Sequence, residues 1–143
     1  MNGRKMHQLS ETGRKEIEKK IRDILVKKSE ISFAFAHGSF VKEDHFRDID
    51  IAIFLDQIPE HLLDYELSLE TELMNTVGTY QVDVRVLNTA PLSFKYNVIK
   101  SGSILLVKDD DKRTDFQEAV LSHYFDFEPY RNNYLRETIG VEV

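Results

Sequence analysis

Two aspartates stand two positions apart in an apolar segment, the sequence DIDIAIFL of residues 48–55. Side chains of a β-strand alternate between its faces, so an extended segment places Asp48 and Asp50 on one face and the isoleucines on the other. Neighbouring carboxylates repel each other, and removing them from water carries a further penalty. A divalent cation relieves both penalties, and Mg²⁺ binds carboxylate oxygens together with substrate phosphate oxygens. The pair therefore predicts a metal site that acts on a phosphate compound.

A Gly38-Ser39 turn precedes the aspartates and ends an apolar strand. Glycine lets the backbone approach a ligand, a serine hydroxyl can bond to phosphate, and such turns present backbone N–H groups to anions. We therefore predict that Gly38 and Ser39 bind the end of a triphosphate. Arg47, together with Lys42 and His45, lies on the following loop and offers positive charge to the leaving pyrophosphate, although surface positions are the alternative.

A third acid, Asp83, occupies the middle of another alternating apolar segment, QVDVRVL at residues 81–87. If this strand neighbours the strand of the first two acids, the three carboxylates meet. In two-metal phosphoryl chemistry, Asp48 and Asp50 would bind both ions, and Asp83 would bind the ion that activates the attacking hydroxyl or remove its proton. The alternative role of Asp83 is a salt bridge with Arg85 or another cation.

Length and composition limit the possible classes of protein. The chain has 143 residues, 41% of them apolar and 31% charged, which predicts one globular domain over residues 1–143. Its formal charge of −6 argues against general nucleic-acid binding, which needs a basic face. The chain has no cysteine, no signal-like segment and no long apolar run, so we expect a cytoplasmic protein without a membrane contact.

The hydrophobic periodicity predicts an α+β fold, in which helices cover a mixed sheet of about four strands. Residues 1–9 should be a loose terminus and residues 113–139 a helical tail. Pro129 should break this tail into two helices, with Thr114 and Gln117 forming the capping box of the first. The other expected helices start at Ser10 or Thr12, near Pro59 and at Thr89, and the other expected strands are 31–36 and 104–107. The aromatic tail either closes the domain's own core or contacts a partner.

The string GSFVKEDHFRDIDIAIFL resembles the signature of the minimal nucleotidyltransferases (MNT), a small branch of the DNA polymerase β superfamily. The family pattern has Gly-Ser, a loop, and then Asp-hydrophobic-Asp, followed by a third acid on the next strand, which Val-Asp-Val at 82–84 matches. The stretch NVIKSGSILLVKDD extends the likeness beyond the signature. The loop from Phe40 to Arg47 has eight residues, is slightly short for the family and lacks its frequent second glycine.

The resemblance implies a nucleotidyltransferase fold and Mg²⁺-dependent transfer of AMP from ATP. It also implies the partner, because MNT proteins act as antitoxins that modify a tyrosine of a HEPN-domain ribonuclease toxin. After the sheet, the chain has too few residues for an acceptor-binding domain, so we expect the acceptor on another chain. Two alternatives remain open: a small-molecule transferase of the aminoglycoside-modifying type, and a non-catalytic module that masks a partner.

Overall fold

The computed structural model describes the backbone of residues 6–139 and the side chains of residues 6–126. The elements follow in chain order: β1 (His7–Gln8), α1 (Glu11–Leu25), β2 (Ile31–His37), α2 (Ser39–Lys42), β3 (His45–Phe46), β4 (Asp48–Leu55), α3 (Leu62–Val77), β5 (Gln81–Val86), a 3₁₀ turn (Leu87–Thr89), α4 (Leu92–Ser101), β6 (Ser103–Val107) and α5 (Asp110–Ile139). Within the described residues, no helix combines the length and the apolar character needed to cross a bilayer.

A four-stranded sheet in the order β5-β4-β2-β6 forms the centre of the fold, and β1 and β3 form a separate two-stranded ribbon. Strand β4 runs parallel to β5 and antiparallel to β2, while β6 runs antiparallel to β2. The predicted mixed sheet of four strands, and with it the α+β class, is therefore confirmed.

The strand β4 separates two hydrophobic clusters. Its isoleucines pack with the buried faces of α1 and α3, where Ile21 and Leu73 are fully buried. Ala52 and Phe54, on the face that carries the aspartates, pack with residues of α4 and α5 such as Val98 and Phe116. Both faces of the sheet are covered by helices, so the acids occupy the end of a strand whose remaining length is core.

The edge strand β5, which carries Asp83, is bonded along its outer side by carboxylates of α3. The Val84 N–H donates to Glu70 Oε2 and the Val86 N–H donates to Glu66 Oε2, both at 2.9 Å. Unpaired N–H groups on an edge strand invite pairing with another chain. Here the two glutamates satisfy these groups and fix β5 against α3.

Two expectations about the chain ends were wrong. Residues 7 and 8 form β1 instead of a loose terminus, whereas residues 1–5 lie outside the described part. Strand β1 forms because His7 and Gln8 pair with Phe46 and His45. The aromatic tail is one helix over 110–139, without a break at Pro129, because a proline removes one backbone donor while the flanking residues keep their own bonds.

The predicted first residues of the helices were wrong more often than the predicted helices themselves. Ser10 caps α1 as expected, accepting from the Gly13 N–H at 3.1 Å. Helix α5 begins earlier than Thr114, since Asp109 accepts from the Lys112 N–H at 3.1 Å and supplies the cap. Helix α3 begins at Leu62, after the loop that contains Pro59, and α4 begins at Leu92 after Pro91, so Thr89 does not cap it.

The carboxylate bonding of β5 predicts a measurable contribution to stability. Glu70→Ala should lower the free energy of unfolding by about 1.5 kcal/mol, because a hydrogen bond to a charged group is lost and a half-buried N–H is left unsatisfied. Glu70→Gln, which retains an acceptor, should restore most of the loss. Chemical denaturation measures both, with Glu16→Ala on the exposed face of α1 as control, where the change should stay within about 0.5 kcal/mol. Equal losses in the two alanine variants would contradict this role.

Candidate active site

Three carboxylates meet where β4 and β5 begin. Asp50 is the register partner of Asp83 in the parallel pair, and Asp48 lies two residues earlier on the same face. One oxygen from each of the three lies within 4.8 Å of the others. The predicted convergence of Asp48, Asp50 and Asp83 is thus confirmed.

The neighbouring isoleucines hold the acids in this orientation. Ile49 and Ile51 are fully buried on the opposite face of β4. Because the side-chain period of a strand is two, a slip of one residue would move the isoleucines into solvent and the carboxylates into the core. The register that buries the isoleucines is therefore the register that gathers the acids.

The donor set fits a hard divalent cation. All three residues are partly exposed, and the Oδ1 atom of Asp48 is shielded from solvent. Carboxylate oxygens at this spacing, with an open side for further oxygen ligands, match the coordination that Mg²⁺ prefers. Asp48, Asp50 and Asp83 are the residues that would hold it.

Gly38 brings the preceding turn into contact with the acids. Its φ angle is 77°, a left-handed conformation in which other residues are strained, and it starts the short helix α2. A Cβ atom at this position would overlap Oδ2 of Asp50. Glycine is therefore required at this position for two reasons: it tolerates the backbone conformation, and it allows the close approach to Asp50.

A cavity of about 350 Å³ opens beside Gly38. It is lined by residues of β2, α2 and α4: His37, Gly38, Lys42, Phe94, Asn97, Val98 and Ser101. The four residues on α4 were not predicted from the sequence. Their spacing is that of one helix face, and two polar residues beside the buried Val98 are the signal that could have revealed them.

His37 is a neutral member of this cavity. Burial, reinforced by the positive charge of Arg85, lowers the pKa of its imidazole to about 4, although Asp83 opposes the shift. Its ring stands edge-on to Phe94 with centroids 5.2 Å apart. At neutral pH it can therefore donate or accept a hydrogen bond without adding charge to the cavity.

Arg85 does not neutralise Asp83 by direct pairing. Within the described residues, no ion pair joins the two side chains, and the Arg85 guanidinium lies over the Phe94 ring at 4.7 Å from its centroid. The salt bridge considered as an alternative role for Asp83 is therefore absent from the described part of the chain.

The other predicted nucleotide contacts lie around the turn. Ser39 is the first residue of α2 and is partly buried. Arg47 is exposed directly before β4 and does not line the cavity, whereas Lys42 does. His45 is exposed and pairs with Gln8 in the ribbon. Nucleotide binding by Gly38, Ser39 and Arg47 stays a prediction.

A family comparison defines the class of protein. Residues 19–111 match the model of the family described as polymerase beta, nucleotidyltransferase. This range covers more than half of the chain and contains all three acids. The chain belongs to the polymerase beta nucleotidyltransferase family of enzymes.

Solved structures of toxin–antitoxin complexes contain similar chains. The complex of the tri-AMPylated Shewanella oneidensis HEPN toxin with MNT antitoxin gives a TM-score of 0.70 at 19% identity, covering 88% of this chain and 98% of that chain. A toxin–antitoxin structure with AMP-PNP gives 0.71 at 21% identity, covering 85% and 98%. An MntA-HepT toxin–antitoxin structure gives 0.64 at 18% identity, covering 91% and 99%. These similarities establish a shared fold. No curated protein matches the chain.

The contact between Gly38 and Asp50 can be tested with a matched pair of glycine substitutions. Gly38→Ala and Gly78→Ala both place alanine at a positive φ, which costs about 1–3 kcal/mol in folding stability. Only Gly38→Ala should also reduce the rise in melting temperature caused by Mg²⁺ or Mn²⁺, because its Cβ displaces Asp50, while the space around Gly78 is open. Melting curves with and without cation measure the difference. Equal cation responses in both variants would contradict the proposed contact.

Proposed function

We propose that this chain transfers AMP from ATP to the hydroxyl of a tyrosine on a HEPN toxin, and thereby acts as an antitoxin. The observation that carries the proposal is the meeting of Asp48, Asp50 and Asp83 beside the Gly38 turn and its cavity. A phosphate-binding turn and an acidic cation site in contact are the two parts that nucleotidyl transfer requires.

The nucleotide would occupy the cavity and the turn together. Gly38 and Ser39 would bind the triphosphate through backbone N–H groups and a hydroxyl, and Arg47 would bind the leaving pyrophosphate. Lys42 lines the same cavity and adds positive charge. A similar fold with AMP-PNP in a toxin–antitoxin structure supports an adenine nucleotide as the donor.

The acids supply the charge chemistry. Bound Mg²⁺ would neutralise phosphate charge and lower the pKa of the attacking hydroxyl. Asp48 and Asp50 would hold the cation, and Asp83 would hold it from the neighbouring strand or take the proton from the hydroxyl. The hydroxyl oxygen bonds to the α-phosphorus as the bond to the bridging oxygen breaks, and pyrophosphate leaves.

The proposed acceptor rests on the structural neighbours of the chain. Similar chains of nearly equal extent lie in complexes of HEPN toxin and MNT antitoxin, one of them with a tri-AMPylated toxin. This favours a protein tyrosine over an aminoglycoside-type small molecule. The presence of all three acids at one site also favours catalysis over passive masking of a partner. We place this activity in the cytoplasm.

Asp48→Asn with Asp50→Asn should abolish transfer. Loss of preorganised charge stabilisation costs about 10²–10³-fold in rate, and loss of the cation adds to it. The assay incubates the chain with ATP labelled at the α-phosphate and a purified HEPN toxin, and counts label on the toxin. EDTA should have the same effect as the double variant.

The control is Asp64→Asn, an exposed acid on α3, which should keep wild-type activity. Label on an aminoglycoside panel but not on the toxin would favour the small-molecule alternative. A double variant that neutralises the toxin as well as wild type does would favour pure binding.

A further inference from the structure

The segment between Gly38 and Asp48 has little structure of its own. It contains the four-residue helix α2 and the two-residue strand β3. Isolated helices shorter than about 12 residues are marginal in water. Contacts from elsewhere in the chain must therefore fix the segment that joins the proposed phosphate-binding turn to the acids.

Arg14 of α1 supplies such contacts from one side chain. Its guanidinium donates to the Phe40 carbonyl through Nη1 and to the Asp44 carbonyl at 2.6 Å through Nη2. Its Nε donates to the Leu9 carbonyl at 3.4 Å. One planar group thus joins helix α1, the chain before it and both halves of the segment.

The same guanidinium packs on the two buried phenylalanines of the segment. Its central carbon lies 5.4 Å from the Phe40 ring centroid and 5.0 Å from that of Phe46. The two rings meet edge-to-face at 4.9 Å, and both are almost fully buried. Arginine suits this place because its rigid fork of donors also stacks on rings, whereas lysine offers a single point charge.

Strand β1 holds the same segment from the other side. His7 pairs with Phe46, and its ring lies 5.6 Å from the Phe46 ring and 4.8 Å from the Tyr80 ring. Tyr80 directly precedes Gln81, the register partner of Asp48. The contacts of β1 therefore reach the beginnings of both strands that carry the acids.

We propose that Arg14 is a positioning residue for the active site, and that with β1 it fixes the 39–47 segment so that the Gly38 turn faces the three acids. This inference rests on the proposed function for its catalytic consequence. The claim that Arg14 and β1 fix the 39–47 segment does not depend on the proposed function, and hydrogen exchange can test it without nucleotide.

The test compares Arg14→Lys with Arg22→Lys. Arg22 lies on the same helix and also donates to a carbonyl, that of Leu105 at 2.7 Å, but its partner is on β6. Hydrogen exchange of the amides in 39–47 should be several-fold faster in Arg14→Lys and unchanged in Arg22→Lys. The affinity for AMP-PNP with Mg²⁺, measured by calorimetry, should fall about ten- to a hundredfold in Arg14→Lys alone, as expected when a hydrogen bond to a charged phosphate is lost.

The possible outcomes distinguish the proposed role of Arg14 from the proposed function. Unchanged exchange in Arg14→Lys would overturn the inference, and so would faster exchange with unchanged nucleotide affinity. Wild-type protein that binds no AMP-PNP with Mg²⁺ would instead overturn the proposed function, while exchange would still report on the segment.

His7→Ala, which removes ring contacts but leaves Arg14 in place, provides a second variant should Arg14→Lys not fold. It should change exchange and affinity in the same direction by a smaller factor, and no change in either would also overturn the inference.

Discussion

Repulsion among three carboxylates is the constraint on which the rest of the structure depends. Asp48, Asp50 and Asp83 are brought within 4.8 Å of one another by the parallel register of β4 and β5. That register is stabilised by the isoleucines on the opposite face of β4, because exposing one fully buried isoleucine costs about 1.5–3 kcal/mol. Hydrophobic burial therefore stabilises an arrangement that the mutual repulsion of the carboxylates opposes, and a bound cation would reduce this repulsion.

The surrounding elements hold this arrangement in place. Two glutamates of α3 satisfy the outer edge of β5 and keep the strand of Asp83 in place. Gly38 lets the turn touch Asp50, and α4 closes a cavity beside it. Arg14 bonds to the loop that joins the turn to the aspartates. These contacts come from separate parts of the chain, yet all of them act on the same end of the sheet.

The sequence predicted the features that depend on short-range periodicity. The strand of residues 48–55 and the shared face of its two aspartates could be read directly, because alternation of polar and apolar residues has one simple interpretation. The place of Asp83 required knowing which strands are neighbours, and the resemblance to a family supplied that knowledge.

Features that depend on distant partners could not be read in this way. Strand β1 has two residues and exists because Phe46 and His45 lie beside it. The cavity residues of α4 looked like an ordinary helix face, and Pro129 looked like a break because the local rule ignores the bonds on either side of it. The first residues of α3, α4 and α5 differ from the predicted ones for a similar reason, because several residues near the start of each helix are able to cap it.

The three acids should form one cation site next to a bound nucleotide. A crystal grown with Mn²⁺ and AMP-PNP can show this, because the anomalous signal of manganese locates the ion. We expect an anomalous peak ligated by Asp48, Asp50 and Asp83, with phosphate oxygens of the analogue completing its coordination beside Gly38. A nucleotide bound elsewhere, or manganese ligated by other residues while these three carboxylates stay unligated, would contradict it.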